Sequence, residues 1–124
     1  MKIAVVGSRE WEDYNTLIRK LSIEIEDWIR FYPDDNKLIF VHGGARGAEN
    51  MVTEFVGKIQ SLAKQNKKTI TDKVFYSESS DRYAEIAMSD IDRAVIFQKI
   101  PCGKTTKFAN IVQEMEIPTV IVKG

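Results

Sequence analysis

Two arginines, Arg9 and Arg46, each stand just beyond glycines that close a short apolar run, in the stretches Gly7-Ser8-Arg9 and His42-Gly43-Gly44-Ala45-Arg46-Gly47-Ala48-Glu49. The chemistry such residues can do is anion binding. Glycine lets a backbone approach a ligand with no Cβ in the way, and a helix N-terminus offers unpaired N–H groups and partial positive charge to a phosphate or carboxylate. Three glycines within Gly43–Gly47 exceed what a chain reversal needs, although a tight turn requiring positive φ would also use them. Arg46 opposes the dipole of the helix it opens unless an anion offsets it. Glu49 suits that dipole; it could pair with Arg46 or orient a ribose hydroxyl.

The first stretch offers main-chain N–H groups and the Ser8 hydroxyl to a phosphate, with Arg9 as a charge-assisted clamp. Trp11 could stack on a base, or close the core beside the helix that follows, the commoner fate of a lone tryptophan. A third loop, Gly103-Lys104-Thr105-Thr106, could bind phosphate through its glycine and hydroxyls or merely cap a helix. It is not a P-loop, because Gln98 stands where that template wants a glycine. His42, the sole histidine, more often in such a place is a hydrogen-bonded structural residue than an acid or base. Cys102 lacks a readable base partner, so nucleophilic catalysis there is not expected. The run Lys64, Lys67, Lys68 reads as a solvated helix end.

These residues need elements to hold them. Five apolar runs, Lys2–Val6, Lys37–His42, Lys73–Ser77, Arg93–Gln98 and Thr119–Lys123, alternate with stretches of helical period. The first helix carries Tyr14, Leu17, Leu21, Ile25 and Trp28 on one stripe, with Asp13 placed to cap and Pro33 to stop. The second shows Ala48, Val52, Phe55, Ile59 and Ala63. The third has Asp81 as cap and Tyr83, Ile86 and Ala87 as its apolar face. The fourth starts near Thr105 or Thr106 and carries Phe108, Ile111 and Val112. Strict β–α alternation with right-handed crossovers predicts an α/β, Rossmann-like open parallel sheet of five strands, order 3-2-1-4-5, with helices on both faces. Ligands in such sheets sit outside the carboxyl ends of the strands where the order reverses, so the three loops should meet there.

The length, 124 residues, fits one domain, and no linker or repeat divides it. Lysine plus arginine (18) equal aspartate plus glutamate (18), so no global field gathers nucleic acid, and anion binding must be local. A single cysteine excludes an internal disulfide framework and a cysteine-built zinc site, and it suits a reducing cytosol. No metal site and no cofactor are expected. No apolar run approaches the roughly 20 residues of a membrane span, and no signal peptide is readable, so a soluble, cytoplasmic protein with no membrane partner is expected. The apolar residues of the first two helices suggest a homodimer.

Gly7-Ser8-Arg9 followed by Trp11 and Asp13, and the stretch His42-Gly43-Gly44-Ala45-Arg46-Gly47-Ala48, resemble the signature of the YspA-like branch of the SLOG superfamily. The resemblance spans nearly the whole chain in element order, with its specific residues in the first two loops. It implies a Rossmann-like protein that binds nucleotides or nucleotide-derived ligands. Relatives in that superfamily include the LOG phosphoribohydrolases, the DNA-binding DprA proteins, and sensors of nucleotide signals in bacterial and phage conflict systems. The chain departs from the hydrolase pattern: Pro101 to Ala109 lacks the glutamate of the LOG loop, and Ala84-Glu85 stands where the superfamily often has Arg-Asn, with Arg82 out of register. Glu49 stands where the YspA-like pattern commonly has aspartate. The expectation is a protein that binds a nucleotide-like ligand as sensor, carrier or sequestering protein through Gly7, Ser8, Arg9, Trp11, His42, Gly43, Gly44, Ala45, Arg46, Gly47, Glu49, Gly103, Thr105 and Thr106. The alternative is an N-glycosidase or phosphoribohydrolase of a nucleoside monophosphate, with Glu49 or another carboxylate in the catalytic role.

Overall fold

The computed structural model describes residues 1–75, 82–99 and 103–124. In chain order the elements are β1 (Lys2–Gly7), α1 (Tyr14–Phe31), β2 (Lys37–His42), α2 (Ala48–Gln65), β3 (Thr69–Val74), α3 (Arg82–Ala87), β4 (Arg93–Gln98), α4 (Gly103–Glu114) and β5 (Thr119–Lys123). The strands form one parallel sheet in the order β3-β2-β1-β4-β5, as the alternation predicts.

Side chains of a strand alternate between faces, and the apolar residues divide accordingly. Ile3, Val5, Leu38, Phe40, Val95 and Phe97 pack with Leu17, Leu21, Trp28, Val52 and Phe55 of α1 and α2. Ala4, Val6, Val41, Ala94 and Ile96 pack with Ile86, Phe108 and Val112 of α3 and α4. Both faces of the central strands are therefore covered, which is why they read as continuous apolar runs. Each fully buried Leu or Trp contributes roughly 1.5–3 kcal/mol by leaving water, enough to seat α1 and α2 without strong intrinsic propensity.

Local chemistry sets the helix ends. Asp13 caps α1, its carboxylate accepting from the Thr16 N–H and hydroxyl at 3.0 and 2.6 Å. These bonds hold the Asp13 carboxyl below its ordinary value. The helix ends at Phe31, ahead of Pro33.

The third strand is a correction. It runs Thr69–Val74, starting four residues earlier and ending three earlier than Lys73–Ser77, and pairs Leu38 with Ile70 and His42 with Val74. The half-polar run Thr-Ile-Thr-Asp-Lys-Val suits this edge position, where one rim faces solvent. Ser77, and Asp81 as the expected cap of α3, lie outside the described residues. Lys68 also departs from a solvated helix end: its Nζ donates to the carbonyls of Pro33 and Asp35 at 3.1 and 3.0 Å and sits over the Trp28 ring. Among the described residues no helix is long and apolar enough to cross a membrane.

Candidate functional site

β1 and β2 are neighbours, so the loops leaving their carboxyl ends start side by side. Gly47 joins them. Its φ is +87°, and a Cβ added there would stand 2.5 Å from the Ser8 carbonyl oxygen and 2.7 Å from that of Arg9. Gly7 is equally crowded, since a Cβ on it would collide with the Ala48 side chain. These two glycines thus let the start of α2 settle directly on the first loop, carrying Arg46 to the neighbourhood of Arg9. Close packing, rather than ligand approach, explains why neither position carries a side chain.

The backbone of His42 to Gly44 is already engaged. The Gly43 N–H donates to Glu49 Oε1 at 2.7 Å, the Gly44 N–H to His42 Nδ1 at 3.0 Å, and the His42 carbonyl accepts from the Phe75 N–H at 2.9 Å. Because Nδ1 accepts, the ring proton sits on Nε2, which lies 2.9 Å from Asp72 Oδ2. Thr53 Oγ1 donates to the same carboxylate oxygen at 2.8 Å. His42 is wholly buried and holds the loop in place, the structural role expected of it. Gly44, at φ +69°, could not hold this turn easily with a side chain.

Among the described residues, the N–H groups without a side-chain cap lie one step further on. The first turn of a helix has no intrahelical acceptor for its N–H groups, and Gly47 as N-cap brings no side chain to satisfy them at the start of α2. Beside this turn stand Arg46 and Arg9, both exposed. Neither makes an ion pair with a described residue.

A third guanidinium joins them, and the sequence analysis missed its place. Arg82 opens α3, and its Nη1 donates to the Gly43 carbonyl at 3.0 Å. Its Nε is buried with no hydrogen-bond partner among the described residues. A Cβ on Gly43 would stand 2.8 Å from the Arg82 Cδ, so that glycine makes room for the arginine. Only the crossing of α3 over the sheet reveals this, although an arginine opening an apolar-periodic helix was a usable signal.

Glu49 sits fully buried in the first turn of α2, its Oε2 accepting from the Tyr83 hydroxyl at 3.0 Å. It makes no ion pair with Arg46. Burial raises its carboxyl above the ordinary value, against the opposing Gly43 and Tyr83 hydrogen bonds and the nearby Arg82 charge. Tyr83 is pushed up as well, first by burial and then by the Glu49 charge, while Arg82 and Arg9 oppose it. Arg9 therefore stands close enough to be felt by the Glu49–Tyr83 pair.

The remaining expected residues divide. Ser8 is buried: its N–H donates to the Phe97 carbonyl at 2.9 Å, and its Oγ accepts from the Lys99 N–H at 3.2 Å, tying β1 to β4. Trp11 is core. Its ring lies 5.2 Å from Phe97, and its Nε1 donates to the Asp13 carbonyl at 3.0 Å. Ala45 is half-buried within the turn. Gly103 begins α4, with Thr105 buried and Thr106 exposed in its first turn. Pro101 and Cys102 lie outside the described residues. Among the described residues no group of three or more His, Cys, Asp or Glu side chains is clustered to hold a metal ion. No family model, curated protein or solved structure matches the chain.

Proposed function

We propose that the protein binds a nucleotide or nucleotide-derived ligand through its phosphate or ribose-phosphate, as a sensor, carrier or sequestering protein of the cytoplasm. One observation carries this reading. Arg9, Arg46 and Arg82 gather around an uncapped helix start at the carboxyl edge of the sheet, and none forms an ion pair with a described residue. The edge supplies both components that phosphate recognition uses, main-chain N–H groups with the helix dipole and planar guanidinium donors. All three arginines come from one chain, so each copy of a homodimer would carry its own cradle. Titration calorimetry with a panel of nucleoside monophosphates tests the reading. Micromolar or tighter binding that weakens at least about tenfold in Arg46→Ala is expected, the loss of one charge-assisted contact of roughly 1.5–3 kcal/mol. Unchanged affinity in that variant removes the premise.

A second reading, hydrolysis of the N-glycosidic bond of a nucleoside monophosphate, rests on Glu49. A carboxyl whose burial favours the protonated form is suited to general acid work. Against it, both Glu49 oxygens are engaged and the side chain is closed off. Release of free base by the wild type, abolished in Glu49→Gln, would establish hydrolysis; intact binding with no base released leaves the binding protein.

A further inference from the structure

The outer surface of α1 and α2 carries an apolar groove of about 260 Å³, lined by Ile25, Ile29, Phe55, Ile59 and Leu62. Its rim is apolar and open: Ile29 is 49% and Leu62 61% exposed. Isolated exposed apolar residues need no explanation, but a lined groove with an apolar rim marks a surface built to be covered.

From the groove and its charges we infer that a second copy of this chain covers it, forming a two-fold dimer through α1 and α2. The charges argue for self-association over an acidic or basic partner. Helical spacing puts Arg19 and Glu26 on the outward side of α1, two turns apart, and Glu54 and Lys58 on the outward side of α2, one turn apart; all four are exposed. α1 also exposes Asp27 and Arg30, and the groove itself is lined by one anion, Glu26, and one cation, Lys68, so both signs are mixed beside it and no block of one sign attracts a partner of the other. A face that carries both signs in balanced number can meet its own two-fold copy without like-charge contact, which is the requirement of an isologous interface. The area agrees. Two 18-residue helices present about 27 Å of length and roughly 20 Å of combined width, a footprint of roughly 500 Å² per copy. Two such footprints reach roughly the 1,000 Å² in total that a specific interface needs, so a weak dimer is expected. The groove lies away from the glycine turns, so dimerisation leaves the carboxyl edge open.

Sedimentation equilibrium of the full chain between about 1 and 200 µM provides the test, with Leu62→Glu, Ile29→Glu and a control, Ile121→Glu, on the exposed face of β5. The expected result is a wild-type dimer whose dissociation constant rises at least about tenfold in the two groove variants and stays unchanged in the control. Both groove positions are largely exposed, and circular dichroism confirms that the variants fold. A wild type that remains monomeric at 200 µM overturns the inference. So does a dimer that survives both groove substitutions, or one that only Ile121→Glu disrupts.

Discussion

The two edges of the sheet treat positive charge in opposite ways. At the amino edge, four cations are answered within the chain: the Met1 amine pairs with Asp35 at 2.8 Å, Arg93 grips the buried Glu24 at 2.7 and 3.2 Å, Lys2 Nζ donates to the Ser89 carbonyl, and Lys68 to two more carbonyls. At the carboxyl edge Arg9 and Arg46 have no acidic partner among the described residues, Arg82 has a single carbonyl, and Glu49 is buried and committed to Gly43 and Tyr83. The amino edge is finished by its own side chains. On the proposed reading, the carboxyl edge is completed by an anion that the chain itself does not supply.

Substitutions at the two edges should therefore separate stability from binding. The largest effect is expected at Gly47→Ala, where a Cβ meets two carbonyl oxygens and φ is +87°. Backbone strain alone costs about 1–3 kcal/mol, and the collision adds to it, so thermal unfolding should show Tm falling by roughly 10 °C together with loss of ligand binding. A Tm within a degree of wild type would mean that the first two loops are not in contact. Next comes Arg93→Ala, which strands the buried Glu24. A fully buried pair broken on one side costs about 3–5 kcal/mol, and with Arg93 34% exposed about 2 kcal/mol is expected, read from urea unfolding. Nucleotide affinity should not change, because that pair lies at the other edge.

How far this contrast could be read from the sequence depends on whether the cause is local. The strands β1, β2, β4 and β5 and their order were legible, because covered parallel strands are continuous apolar runs and the crossover rule leaves few orders. β3 was not, since an edge strand that gives Asp72 to His42 looks less strand-like than the Val-Phe-Tyr run that begins at its last residue. The glycine turns were legible as special, but their reasons were not: Gly7 and Gly47 admit the start of α2, and Gly43 admits Arg82, all consequences of distant chain segments meeting. The same holds for Ser8, Trp11 and Lys68, whose partners lie in other elements or turn back onto the main chain. Arg82 was legible only as an arginine out of register, because its place depends on how α3 crosses the sheet.

Two smaller effects sharpen the comparison at the carboxyl edge. Arg46→Ala should leave Tm within about a degree while weakening nucleotide binding about tenfold, since an exposed arginine without an ion pair contributes little to folding. Differential scanning calorimetry beside the titration shows whether the two properties part. Glu49→Gln should act through pH. With the folded carboxyl raised above 4.5, the native state holds a proton that the unfolded chain releases earlier, so this contribution to stability is complete below the unfolded value and lost as pH rises through the folded one. Glutamine keeps an acceptor for the Gly43 N–H and has no proton to lose. Urea unfolding across this range should therefore show a downward slope with pH in the wild type that is absent in Glu49→Gln; parallel curves would mean Glu49 is not desolvated.

The claim that the carboxyl edge awaits an anion is tested most directly by amide chemical shifts of the ¹⁵N-labelled chain titrated with a nucleoside monophosphate. The account predicts saturable shifts concentrated at Ala45 to Asn50, with Arg9 and Arg82 moving in step and the residues around Glu24 and Arg93 still. Shifts confined to the groove between α1 and α2, or none at millimolar nucleotide, would contradict it.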